Sequence, residues 1–446
     1  MPQQTLGDAS GGDDPSLRPT PPVSPGAGST FYALQSPVYR VLWLNASLVL
    51  AVMHLSFTAH ATVAFEITGK NSSVGLLSFA IGIAMLATTP FAGAIADRVS
   101  KRLLLLLCYS LLMVMTCSLG ALLYADALTI ELMMVFDFMF GVSVSFFWPA
   151  ITACMGETVE AGMQSNGAAL FQIALNLTRS FTPFIGAALL SWQAIGLGGA
   201  YVAVAILLVP TIASIALIPR TIAPAVKAVR GSMLGDMRLG LSHVMENERL
   251  LAVMASFVVT ILLGFSLMVV LPAFAKDVLG AGESGFGIMF GTHAIGGLVA
   301  GLFVASKAGS RSLNTYLLAS SIALGAGTSA LALAPNLLVA LILVFLAGGA
   351  AGAFQTLIMA AILRASAPAY FGRVMALTNV GWAMNNLFGL LLGIVADVSS
   401  ERASLFGLGL IIVATSLLLG AWRARVARSL PTAPDLQAMA DAGLAS

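Results

Sequence analysis

From about residue 41 onward the chain repeats one pattern, a long apolar run followed by a short polar connection. Runs of spanning length fall at about 41–65, 73–96, 103–124, 127–153, 166–190, 197–218, 250–274, 285–306, 313–334, 336–361, 374–396 and 403–422. A helix rising 1.5 Å per residue needs about 20 mostly apolar residues to cross a bilayer core. The runs show no strict alternation of apolar and polar positions, so they predict helices rather than barrel strands. Lipid also offers no partner for open backbone groups. The expected fold is all-α and integral to the membrane, with twelve transmembrane helices.

The longest internal polar stretch, residues 220–249, divides the runs into six plus six. Within it, "SMLGDMRLGLSHVMENERLLAV" reads as an amphipathic helix lying along the membrane surface and leading into the seventh span. The halves echo each other at an offset near 209 residues: "GAIADRVSKR" follows the second run and "LFVASKAGSR" the eighth, with Arg98 opposite Lys307, Arg102 opposite Arg311, and Gly141 opposite Gly349. Two pseudo-symmetric six-helix bundles are therefore expected, at 37–219 and 250–422, with a tail at 423–446. Residues 1–36, rich in Pro, Gly and Ser without apolar period, read as a disordered tail. That tail lacks the basic start and short apolar core of a signal peptide.

Composition agrees with the pattern: 59% of residues are hydrophobic, 9% are charged, and the mean hydropathy is +0.96. Charge placement adds an orientation. With both termini inside, seventeen of the 21 Lys and Arg residues fall on the inner side, three (Lys70, Lys276, Arg402) on the outer, and Arg179 within a span. That asymmetry puts the termini in the cytoplasm, in an inner or plasma membrane. The net charge of +2 gives no reason to expect a nucleic-acid partner. Cys108, Cys117 and Cys154 sit in apolar runs without metal or redox spacing and read as packing residues. No phosphate-cradling Gly loop, metal cluster or nucleophile constellation is present, which argues against an enzyme or an ATP-driven pump and implies no cofactor. Asn71 opens an Asn-Ser-Ser sugar-acceptor sequence that lies very near the membrane.

"GAIADRVSKR" resembles the signature loop of the major facilitator superfamily, Gly-x-x-x-Asp-Arg-x-Gly-Arg-Arg/Lys. Gly93, Asp97, Arg98 and Arg102 match it, while Ser100 and Lys101 depart from it mildly. With "FFWPAITACM" closing the fourth span, "LTRSFTPFIGAAL" in the fifth and "FGRVMALTNVGWAMNN" opening the eleventh, residues 37–422 are similar to the third drug:proton antiporter group, which includes macrolide and enterobactin exporters. The fifth-span pattern of related exporters, Gly-Pro-x-x-Gly-Gly, is only partly kept at Thr182 to Ala187. The resemblance implies two bundles rocking about a central site, and a cytoplasmic latch between the second and eleventh spans. In that latch Asp97 would face the start of the eleventh helix after Pro368, while Arg98 and Arg102 have candidate partners in Glu157 and Glu160. A carboxylate at a helix N-terminus contributes about 0.3–1 kcal/mol. The plainer reading is that these basic residues only set topology.

Two fully charged residues lie deep in spans, Asp137 and Arg179, at similar depth from the outer side. Such residues cost about 2.5–3.5 kcal/mol at a bilayer centre, so they pair or line water. Three readings are open: a pair that takes a proton and couples it to transport, a fixed structural pair, or an Arg179 that only binds an anionic substrate. His54, His60 and His293 are further relay candidates. Phe140, Trp148, Gln172, Asn176, Gln355, Asn379, Trp382 and Asn385 are candidates for lining an apolar cavity with a few hydrogen-bonding points. Glu66 and Glu131, near outer ends, are expected to be solvated.

The leading expectation is a monomeric secondary transporter that exports small amphipathic or hydrophobic compounds in exchange for protons. An importer, a lipid or siderophore mover, and a receptor that binds without turnover are the alternatives.

Overall fold

A computed structural model describes residues 31–158, 164–192, 196–215, 217, 233–307, 309–310, 312–367 and 370–429. The first half contains α1 (Pro37–Thr68), α2 (Asn71–Arg98), α3 (Lys101–Tyr124), α4 (Ile130–Glu157), α5 (Gln164–Leu190) and α6 (Gly198–Ile215). A short α7 (Met233–Glu246) leads into α8 (Glu248–Gly264) and the three-residue α9 (Leu271–Ala273). The second half continues with α10 (Gly285–Ala305), α11 (Leu313–Ala332), α12 (Leu337–Ala365), α13 (Phe371–Val398) and α14 (Glu401–Ser429). Twelve segments among the described residues are long and apolar enough to cross a membrane, the seventh running from Glu248 to Val278.

Side-chain caps fix several starts. Ser36 Oγ accepts from the Tyr39 N–H and Pro37 opens α1, while Ser100, Thr129, Asn247 and Asn336 cap α3, α4, α8 and α12 in the same way. The Thr129 cap starts α4 at Ile130, three residues later than its apolar run suggests. Structure also precedes residue 37: Tyr32–Gln35 forms a 3-10 turn, and the Ala33 N–H donates to Asn166 Oδ1 of α5 at 3.0 Å. The rest of the expected tail, 1–30, lies outside the described residues.

The halves repeat one packing plan. In the first, α2 packs on α4, α3 on α6 and α1 on α5; in the second, α10 packs on α12, α11 on α14 and α8 on α13. Glycine allows the closest approaches. A Cβ at Gly141 would stand 2.7 Å from Ile81 O, and one at Gly348 would stand 2.0 Å from His293 O. Gly349, the residue aligned with Gly141, has only ordinary contacts, so the close approach in the second half falls one residue earlier. The halves meet along α2–α13 and α5–α10.

The seventh span is not the continuous helix expected at 250–274. After Gly264 it passes through a 3-10 turn (Ser266–Val269), α9 and a π turn (Phe274–Val278). Pro272 cannot donate to the ladder. Asn385 of α13 supports the end of α8: its Nδ2 lies within donating distance of Ile261 O (3.0 Å), Leu262 O (3.2 Å) and Ser266 Oγ (3.0 Å). The Phe265 N–H also donates to Ile261 O and the Ser266 hydroxyl to Leu262 O, so backbone and side chains together satisfy the carbonyls before the break.

Alternation places the α2–α3 and α10–α11 connections at one end of the bundle, the basic end, and the α1–α2 and α13–α14 connections at the other, the far end. At the basic end α7 packs against the start of α13, with His243 stacked on Tyr370 (centroids 4.2 Å apart) and Arg373 over the same ring. At the far end the halves are tied by polar contacts. Glu66 forms an ion pair with Lys276, so it is not the solvated residue expected. Asp397 accepts from the Asn71 and Ser72 N–H groups at 2.7 and 3.0 Å, and Asn71 Nδ2 donates to Glu401 at 2.9 Å. Asn71 is buried there, so its amide is not presented for glycosylation. Cys108 and Cys154 are buried, Cys117 is exposed, and none of the three forms a disulfide among the described residues.

Candidate substrate cavity and buried proton site

A cavity of about 430 Å³ lies between the halves, walled by α5, α10 and α12 and by Phe265 at the break in the seventh span. It extends from mid-depth, at Arg179 and His293, toward the basic end, at Gln172, Leu302 and Met359. Of the candidate lining residues, Gln172, Asn176 and Gln355 face it, joined by Ser180 and Thr356, which carried no distinct signal in the sequence. No carboxylate is among its described lining residues.

The other candidates are elsewhere. Trp382 stands behind the wall, edge-on to Phe265 at 5.0 Å. Asn385 serves the helix break, and Asn379 is exposed. Trp148 packs edge-on to Phe171 within the first half. It lies eleven residues from Asp137, about three turns, and so shares the face of α4 that turns inward. Phe140 borders a different cavity, beside Asp137.

Arg179 and Asp137 do not pair. Among the described residues the Arg179 guanidinium makes no ion pair or hydrogen bond; it stands over the Phe265 ring, 5.5 Å from its centroid. The His54 Nδ1 and both ring nitrogens of His293 are buried without a hydrogen-bond partner, and His293 is only 2% exposed. A cation–π contact contributes about 0.5–2 kcal/mol. That falls short of the roughly 2.5–3.5 kcal/mol a membrane charge costs.

Asp137 instead meets His60, with Oδ1 and Nδ1 2.7 Å apart. Asp137 is 1% and His60 12% exposed. The depth match to Arg179 arose from counting α4 from residue 127. From its true start at Ile130, Asp137 is seven residues in, about 10 Å, and His60 is eight from the end of α1, about 12 Å, whereas Arg179 is eleven from the end of α5. The second oxygen, Oδ2, has no partner. A cavity of about 20 Å³, room for a single water, adjoins the pair between Ser56, Phe57, Ser78 and Phe140. Tyr201 lies tilted against His60, 5.6 Å between centroids, and its buried hydroxyl is also unpartnered.

At the α2–α3 connection, where the latch is expected, Lys101 is buried at the start of α3 and Arg102 is half-buried. Gly93 lies within α2. The side chains of Asp97, Arg98 and Glu157, and all of Glu160, Arg311 and Pro368, lie outside the described residues.

With this geometry established, residues 28–441 match the family model described as transmembrane secretion effector, within the major facilitator superfamily. The chain belongs to that family. Members of the superfamily with solved structures share its fold. A bacterial homolog of the human lysosomal transporter Spinster, inward-facing and unoccupied, is 15% identical, covers 88% of this chain and 97% of its own, and superposes with a TM-score of 0.69. The nucleoside transporter NupG (16% identical; 88% of this chain and 100% of its own) gives 0.68. A POT family transporter in complex with 5-aminolevulinic acid (13%; 87% and 96%) gives 0.67. A comparison with curated proteins finds no match. The secretion effector family member is thus a multi-pass membrane transporter of major facilitator type.

Proposed function

We propose that the protein is a proton-coupled exporter of small amphipathic compounds, acting as a monomer in a cell membrane with both termini in the cytoplasm. The observation that carries this reading is the separation of two buried sites, a solute-sized cavity on the basic side and a carboxylate–imidazole pair nearer the far end. The structure's far end is tied shut by Glu66–Lys276 and by Asp397 on α2, while the cavity lies toward the basic end, which the charge asymmetry assigns to the cytoplasm. This is the arrangement of a carrier loading from inside.

The proton site borders the seam that must part. The wall of the small cavity includes Val74, Leu77, Ser78 and Ile81 of α2, and neighbouring Gly75 packs against Gly389 and Leu390 of α13. Opening the far end along α2–α13 would admit water to Asp137. Its free Oδ2 would take a proton, and the neutral pair would favour the return stroke. Asp97, Arg98, Lys101, Arg102 and Glu157 would latch the basic end in the opposite state.

The test is flux of a panel of amphipathic compounds in reconstituted vesicles under an imposed pH gradient. Export coupled to proton entry, abolished by Asp137→Asn, supports the reading. Flux unaffected by a protonophore refutes the coupling, movement in the same direction as protons makes the protein an importer, and binding without flux makes it a receptor.

A further inference from the structure

The cavity carries more information than its size. Its only charged lining residue among those described is Arg179, which has no counter-ion. The acid of the same half that might have neutralised it, Asp137, is occupied by His60. Across the cavity, His293 is 2% exposed with two unpartnered ring nitrogens, one of which carries a proton in either neutral tautomer. Around these stand neutral hydrogen-bonding side chains, Gln172, Asn176, Gln355 and Thr356, and an apolar wall that includes Leu175, Leu298 and Met359.

We propose that the transported solute is an amphipathic monoanion, a carboxylate or its like, whose charged group sits between Arg179 and His293. This rests on the transport reading above and names its substrate class. A planar guanidinium presents paired N–H donors matched to a carboxylate, and the histidine N–H adds a third. One fixed cation balances one negative charge. A dianion would leave an uncompensated charge in the membrane, a neutral solute would leave Arg179 unpaired, and an organic cation would be repelled. Leu175, Leu298 and Met359 receive the apolar part. A volume of about 430 Å³ suits a drug-sized organic molecule.

The test is equilibrium binding to the full chain in lipid nanodiscs without any gradient, using matched probes that differ only in headgroup. Naphthylacetate, naphthylacetamide and naphthylethylammonium form one series, and octanoate, octanamide and octylammonium a second. The carboxylate of at least one series should bind about tenfold or more tighter than its amide, and the ammonium weakest. Arg179→Gln should bring carboxylate and amide within about twofold of each other, Arg179→Lys should keep part of the preference, and melting curves should show both variants folded. Amide or ammonium binding as tightly as carboxylate, a preference that survives Arg179→Gln, or no binding by any probe would overturn the proposal. Because no gradient is present, a failure of proton coupling would leave the carboxylate preference intact. Conversely, proton-driven flux of neutral compounds would sink this inference and leave the transport reading standing.

Discussion

Replacing His60 by Leu should destabilise the protein more than replacing either charged residue deep in the spans. The reason is the environment of Asp137. Its side chain is 1% exposed, Oδ1 has His60 as its hydrogen-bond partner, and Oδ2 already has none. His60→Leu therefore strands a buried carboxylate, and breaking a buried pair by removing one partner costs about 3–5 kcal/mol. Asp137→Asn keeps an acceptor for the imidazole N–H and should cost about 1 kcal/mol. The double variant His60→Leu/Asp137→Leu exchanges the pair for packed hydrocarbon and should recover to within about 1–2 kcal/mol of the parent. Arg179→Gln, at a site without a counter-ion, should be neutral or stabilising. Denaturant unfolding in mixed micelles would measure all four, and adding Asp137→Leu alone and Asp137→Asn/Arg179→Gln would complete the two double-mutant cycles that isolate the pair terms. The coupling energy between positions 60 and 137 should exceed about 2 kcal/mol, and that between 137 and 179 should be within about 0.5 kcal/mol of zero. Full stability of His60→Leu, or a larger coupling of Asp137 to Arg179, would refute the assignment.

The far-end contacts, the helix break and the glycine seam give further expectations. Asp397→Ala removes a cap from α2 worth about 1 kcal/mol, roughly a fivefold shift toward the far-end-open state; spin-label distances between Lys70→Cys and Ser399→Cys in a background lacking the native cysteines should lengthen, and an unchanged distribution would contradict this. Glu283, beside the far-end ion pair, has its pKa raised, first by burial and then by the charge of Glu66, with Lys276 opposing. An acid whose native pKa is raised contributes stability below its ordinary pKa, about 4.5, and loses it as pH rises through the native value; far-end closure should therefore weaken over that rise, and Glu283→Gln should flatten this part of a pH-dependent distance measurement. Asn385→Ala removes one of two donors from each of the Ile261 and Leu262 carbonyls, which keep the Phe265 N–H and the Ser266 hydroxyl, and should cost about 1 kcal/mol, whereas Asn379→Ala, at an exposed site, should be silent in a melting assay. Gly348→Ala would drive a methyl into His293 O and should lower the melting temperature while impairing solute binding through the cavity wall.

Axial information was legible in the sequence and rotational information was not. Apolar run length marked all twelve spans, because the bilayer imposes it, and the same residues gave the Gly141 echo to within one position. Which side of a helix faces the centre depends on neighbours that a single chain does not reveal. Trp148 and Phe140 accordingly turned into the first half, and Asn385 turned to the break in the seventh span, while Gln172, Asn176 and Gln355 turned to the cavity. The Asp137 partner was missed for a smaller reason. Thr129 caps α4, and recognising a Thr just before the acidic first-turn Glu131 would have moved the helix start and brought His60 to the matching depth. The break itself had a signal in Gly264 and Pro272, outweighed by the apolar character of the run.

The most direct test of proton-coupled transport through Asp137 is the internal pH of vesicles loaded with a pH-sensitive dye, followed as a transported carboxylate is added under an imposed gradient. The parent protein should exchange protons for solute, visible as a substrate-dependent collapse of the gradient, and Asp137→Asn should bind the same solute with no such collapse. A gradient that stays intact while the parent moves solute, or that collapses equally with Asp137→Asn, would contradict the account.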